Sequence, residues 1–221
     1  MIRHPLNSNL TLFYGDHFHG LPVMVGKGPF IAEYLECLKG VIDFTTSDYS
    51  RVLAFRFDLR IPCQNGLSPC VYTNKVISLF FERFKWIVKA DRARARSNNP
   101  YAHDSKVRYF WVREEGYLGR PHYHLLILLN KDAYYTVGRL DSDRVNMIRR
   151  LEHAWAGALS LSVEQVSGLV EIPDNAQYRI DLNDPSGVNV LADLFCRASY
   201  LCKAATKTYG SNQHGFGSSR G

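Results

Sequence analysis

The sequence predicts an α+β fold, a central antiparallel sheet with helices packed on one face, in a split β-α-β layout of the ferredoxin and RRM kind. Three observations predict it. In RVLAFRFDLRIP (51–62) Leu53, Phe55, Phe57 and Leu59 alternate with other residues, the period of a strand with a buried face. In TNKVISLFFERFKWIVKADRARARS (73–97) Val76, Ile77, Phe80, Phe84, Ile87 and Val88 fall at helical spacing. Between them and beyond, the segments follow one another as strand, helix, strand hairpin, helix, strand, an order that leaves one sheet face open for a ligand.

Each element follows in turn. PFIAEYLECLKGVIDF (29–44) has helical periodicity, and the strand at 51–62 ends at Pro62. CQNGLSPC (63–70) is loop chemistry, and Thr73 is a cap for the helix over 73–97. The far end of that helix is basic, with Lys89, Arg92, Arg94 and Arg96, which suits its dipole or a phosphate. KVRYFWVREE (106–115) reads as a strand, GYLGRP (116–121) as a turn and HYHLLILLN (122–130) as the returning strand. A helix over 141–159 begins at an Asp or Ser cap, and GLVEIPDNAQYRIDL (168–182) is two strands broken at 173–175. A last helix spans 188–207, and YGSNQHGFGSSRG (209–221) is a mobile Gly/Ser-rich tail.

The totals narrow the function. At 221 residues and 46% apolar composition the chain makes one domain with a sizeable core, which excludes global disorder. The net charge of +6 is compatible with a nucleic-acid partner without requiring one. Five cysteines at irregular spacings give no disulfide framework and read as reduced thiols. The opening MIRHPLNSNLTLFYG lacks a signal-peptide core, and no run approaches the ~18 apolar residues of a membrane span. The expectation is a soluble cytoplasmic protein with no membrane partner.

Chemistry concentrates in two places. His122 and His124 are two apart on a strand, so both imidazoles face one way while Tyr123 faces the other. The turn brings Glu114 and Glu115 beside them, and two imidazoles with one carboxylate suit a divalent ion with open positions. Neighbours alternate, so only one glutamate faces the histidines, and apolar patterning leaves both open. In the last helix Tyr200 and Lys203 are three apart on one face, with Lys207 a turn further on. A phenol is a poor nucleophile at neutral pH, since its pKa is ~10. An ion that polarises a phosphate and a lysine that holds it supply what it lacks. The reaction these parts predict is transesterification, in which Tyr200 attacks a DNA phosphodiester, forms a 5′-phosphotyrosyl link and frees a 3′-hydroxyl.

At these residues the sequence resembles the HUH endonuclease superfamily, and within it the phage-type rolling-circle replication initiators of inoviruses and satellite prophages. VLAFRFDLRIP resembles the first strand motif, WVREEGYLGRPHYHLLILLN the metal motif and ASYLCKAATKTYG the nucleophile motif, over roughly residues 50–217. The resemblance implies His122, His124 and Glu114 as metal ligands, with Glu115 as the fallback. It implies Tyr200 as nucleophile and Lys203 as its helper. It divides the chain into an N-terminal extension with one helix (1–50), an HUH endonuclease domain (51–208) and the tail (209–221). Some phage initiators carry a second tyrosine four residues after the first; here that position is Ala204, which implies single-tyrosine chemistry.

The implied substrate is single-stranded DNA at an origin or hairpin, with the cofactor Mn²⁺ or Mg²⁺. Arg56, Arg60, Arg108, Arg113, Arg120 and Lys207 are expected to follow the DNA backbone, and Tyr117 and Tyr123 to stack on bases. No P-loop is present, so unwinding falls to a host helicase and synthesis to a host polymerase in the bacterial cell. Two other readings use the same residues. One is a non-catalytic single-strand-binding protein, the other a metal-dependent phosphodiester hydrolase in which Tyr200 is structural.

Overall fold

RVLAFRFDLR is apolar on both faces at its start and on one face at its end, and the position of the site follows from that difference. The structure, a computed structural model, describes residues 2–64, 66–116, 119–139, 145–210 and 213–220. In chain order its elements are β1 (Ile2–His4), β2 (Asn7–Phe13), β3 (His17–Phe18), β4 (Leu21–Pro22), β5 (Phe30–Ile31), α1 (Ala32–Asp48), β6 (Arg51–Arg60) and α2 (Lys75–Asn98). They continue as β7 (Arg108–Glu115), β8 (Pro121–Asn130), α3 (Met147–Leu159), β9 (Val170–Glu171), β10 (Gln177–Asp181), α4 (Gly187–Ser199) and β11 (Phe216–Ser218).

The α+β class and the antiparallel central sheet are as the sequence predicts. Strands run in the order β10-β6-β8-β7-β11, with β9 also pairing β6, and every pairing is antiparallel. The register of the three central strands sets Asp58 opposite His124, Arg60 opposite His122, and Glu114 opposite His122.

Helices cover both faces, not one. Leu53, Phe55, Phe57 and Leu59 turn to one side and pack with Val76, Ile77 and Phe80 of α2 and Leu151 and Trp155 of α3. Val52 and Ala54 turn to the other side, with Phe110, Val112, Leu126 and Leu128, and pack under Leu35 and Leu38 of α1 and Leu194 and Phe195 of α4. The physical reason is that β6, β8 and β7 are the sheet's interior strands and carry apolar residues on both faces there, so each face needs a cover. On the α1/α4 side the apolar run stops after Ala54. Arg56, Asp58, His122, His124 and Glu114 continue that same face beyond it.

Three boundaries differ from expectation. α3 starts at Met147, where Asn146 accepts a hydrogen bond from the Arg149 amide; the expected Asp or Ser cap lies outside the described residues. The last helix stops at Ser199 and gives way to a 3-10 turn over Tyr200–Cys202, so Lys203 and Lys207 do not share a helix face with Tyr200. Within the Gly/Ser-rich tail, Phe216–Ser218 forms β11 on the edge of β7. Its glycine serves close packing there, since a Cβ on Gly217 would come within 2.8 Å of the Trp111 indole. Among the described residues, no helix is long and apolar enough to cross a membrane.

Candidate active site

The polar end of the α1/α4 sheet face collects side chains from β6, β7 and β8. Glu114 Oε2 stands 3.4 Å from His124 Nε2 and 3.8 Å from His122 Nε2. The three residues offer ligand atoms that all lie within 4.8 Å of one another. Bonds of ~2.1 Å to a common ion put neighbouring donors ~3.4 Å apart, so a divalent ion fits this trio with small side-chain adjustments. Register separates the two glutamates. Glu114 shares the histidines' face, while Glu115 is taken by Arg113 at 3.0 Å.

Asp58 adds a second carboxylate to this cluster, one that the sequence motifs do not single out. Its Oδ1 lies 2.7 Å from His124 Nδ1, leaving Nε2 turned to Glu114. The two atoms are in ion-pair contact without hydrogen-bond alignment; a carboxylate that turns into line behind a ligating imidazole fixes its ring and tautomer and makes it a better ligand. The signal was available: Asp58 is the acid within the 51–60 strand, and period two puts it on the face opposite Leu59.

The second half of the site comes from the chain after α4. Lys203 Nζ sits over the Tyr200 ring, 3.8 Å from its centroid, and 3.8 Å from Glu114 Oε1. Arg56 lies 5.5 Å from the same ring and 3.8 Å from Asp58. Beyond them the chain folds back, so that Lys207 Nζ and Thr206 Oγ1 both donate to Glu114 Oε1, at 2.7 and 2.5 Å. Glu114 therefore divides its oxygens, one tied to the C-terminal segment and one facing the histidines.

The N-terminal residues hold this turn in place. Phe30 forms a β-bridge with Lys203, and the Ala204 amide donates to the Pro29 carbonyl at 2.9 Å. The Ser199 hydroxyl accepts from the Met24 amide at 2.9 Å. These bonds take over the backbone groups that a continuing helix would have used, which accounts for the helix ending where it does.

Electrostatics follow from burial and pairing. Burial by itself would raise the Glu114 carboxyl, but contacts from His124, Lys207 and Thr206 outweigh it and hold it well below the usual carboxylate range. Burial lowers His122, and the neighbouring His124 lowers it further. His124 is pushed up instead, because Asp58 and Glu114 outweigh its burial. Burial depresses Lys207 despite its bond to Glu114.

The expected backbone-tracking cations divide. Arg56, Arg108, Arg113 and Lys207 are buried. Arg108 is held by Asp48 at 2.6 Å, Arg113 by Glu115 and Lys207 by Glu114, so each of these three is engaged by a carboxylate of this chain. Arg60 is exposed and pairs with Glu171 at 2.6 Å; Arg120 is half-buried at the rim. Tyr123 is a core residue, edge-on to Trp111, with its hydroxyl on the Thr73 carbonyl. Tyr117 lies outside the described residues.

A family model described as the YagK/YfjJ C-terminal domain matches residues 14–219. Uncharacterized protein YagK of Escherichia coli K12 is 32% identical over 198 residues, covering 87% of this chain and 95% of the relative. Uncharacterized protein YfjJ of the same strain is 30% identical over 201 residues, covering 88% and 97%. Among solved structures, the N-terminal nuclease domain of minute virus of mice non-structural protein-1 aligns over 82% of this chain and 77% of that one. Its identity is 13% and its TM-score 0.26, too low to speak for a shared fold.

Proposed function

We propose that this chain, which belongs to the YagK/YfjJ C-terminal domain family, is a metal-dependent single-strand DNA endonuclease and strand transferase of HUH type with Tyr200 as nucleophile. The observation that carries this reading is the position of Lys203. Its ammonium touches both the Tyr200 ring and Glu114, each at 3.8 Å, and so links the phenol to the Glu114–His122–His124 trio.

The trio would hold Mn²⁺ or Mg²⁺, which when bound polarises a phosphate oxygen and offsets its developing charge. The chain's own residues do the rest. Tyr200 Oη attacks phosphorus of a phosphodiester, the P–O3′ bond breaks, and the phenol proton ends on the departing O3′. The products are a 5′-phosphotyrosyl link and a free 3′-hydroxyl, and the reverse step rejoins strands. Lys203 and Arg56 put positive charge beside the phosphorane-like transition state. Asp58 keeps the His124 ring in position. Arg60 and Arg120 are at the rim for the strand's backbone. In this reading the substrate is an origin or hairpin of a mobile element in the bacterial cytoplasm, and host helicase and polymerase complete replication.

The test is incubation with single-stranded DNA and Mn²⁺ followed by a denaturing gel. A covalent protein–DNA adduct that disappears in Tyr200→Phe supports the proposal. Cleavage without an adduct points to hydrolysis by water, and binding without cleavage to a non-catalytic module; either outcome overturns it.

A further inference from the structure

The other side of the sheet carries residues that the Tyr200 site does not use. Between α2 and α3 runs an open groove of about 930 Å³. Trp86 stands on its α2 wall with 69% of its surface exposed, whereas Trp111 and Trp155 are buried. Arg83 and Arg94 line the same wall. Positions 83, 86, 90 and 94 share one helix face over ~16 Å, at 1.5 Å per residue. Arg83 lays its Cδ and one edge of its guanidinium across Gly157 of α3, where a Cβ would come within 2.8 Å of both, so its place in the groove is set by packing.

The charges here are uneven in availability. Asp91 is already neutralised by Arg92 at 2.7 Å and Arg150 at 2.6 Å, and Glu152 by Arg149 at 2.9 Å. Arg96 is taken by Asp104. Of the lining cations, Arg83 and Arg94 have no ion-pair partner among the described residues, against Glu82 as the lining carboxylate left over. An exposed indole flanked by uncommitted guanidinium groups offers a π-face for a base and forked donors for phosphates. An acidic peptide would use the cations but leave the indole in water.

We propose that this groove binds single-stranded DNA, with a base stacked on Trp86 and neighbouring phosphates held by Arg83 and Arg94. It is a second contact for the strand, on the face opposite the Glu114–His122–His124 trio. The groove stands on its own geometry; the choice of DNA over RNA rests on the reaction proposed at Tyr200.

The test uses the full chain carrying Tyr200→Phe, in EDTA, so that neither cleavage nor a bound ion contributes. Oligo-dT is titrated while tryptophan fluorescence is followed. The expected result is a saturable quench that is lost in Trp86→Leu, with affinity weakened at least about five-fold. Replacing Arg83 and Arg94 together by Gln should make the slope of log K against log salt shallower by about 1.4, for two phosphate contacts. All three side chains are on the surface, and circular dichroism checks that the variants fold. No quench, a quench that survives Trp86→Leu, or equal displacement by polyglutamate overturns the proposal. Oligo-rU that quenches as well as oligo-dT overturns the choice of DNA. Adduct formation is scored separately on the wild-type chain, and its absence beside an intact quench overturns the reading of Tyr200 alone.

Discussion

Lys207 Nζ donates to Glu114 Oε1 across 2.7 Å, and both side chains are buried. The bond ties the segment after the candidate nucleophile to the candidate metal ligand. It also opposes burial, which by itself would raise the Glu114 carboxyl.

Removing one member of such a pair strands the other. Lys207→Met should destabilise the protein by about 3 kcal/mol, the range for breaking a buried ion pair. Urea denaturation at neutral pH measures it. Adding Glu114→Gln to the same chain should recover part of the loss. A loss below about 1 kcal/mol would mean that Thr206 and His124 suffice to hold the carboxylate.

Asp58 is expected to act through His124. Asp58→Asn should weaken Mn²⁺ binding by about 10- to 100-fold at unchanged stoichiometry, as for other partners behind a ligating imidazole. His122→Ala or His124→Ala should abolish it. Isothermal titration reads all three, and wild-type affinity in Asp58→Asn would remove Asp58 from the site.

These residues show where the sequence could be read and where it could not. HYH on a strand gives two imidazoles on one face by period alone, and the tight turn brings an acid alongside. Which acid depends on cross-strand register, and the patterning of β7 fits either choice because both of its faces are covered. Asp58 was hidden for a related reason: its value lies in the partner opposite it, His124, on another strand. The end of α4 was illegible because the periodicity runs on past Ser199, while the bonds that stop the helix come from Pro29 and Phe30, far away in sequence. Composition misled at the tail, where a Gly/Ser-rich stretch that reads as mobile holds Gly217 against Trp111.

That last contact is testable by itself. Gly217→Val should push β11 off β7, because a side chain there meets the indole at 2.8 Å. The expected result is faster proteolysis after residue 209 and a loss of about 1–3 kcal/mol in urea. Unchanged protection would show that the strand accommodates a side chain.

Asp91 gives a pH signature on the α2/α3 side. Burial would raise its carboxyl, but bonds from Tyr134, Arg92 and Arg150 outweigh it and bring it from 3.8 to about 2. A folded value below the unfolded one stabilises the protein above pH 3.8 and fades as pH falls toward 2. After allowance for partial exposure the contribution is about 1–2 kcal/mol. The stability gap between wild type and Asp91→Asn should therefore be wider at pH 7 than at pH 2.5 in urea titrations. An equal gap at both values would show that the carboxyl titrates normally.

The most direct measurement is the identity of the residue that carries DNA after reaction. The adduct is digested with nuclease and trypsin and its peptides are read by mass spectrometry. Cleavage after Arg197 and Lys203 releases Ala198–Lys203, in which Tyr200 is the tyrosine. Nucleotide mass on that peptide is the predicted result. A nucleotide on any other residue, or nicked DNA with no modified peptide, would contradict the account.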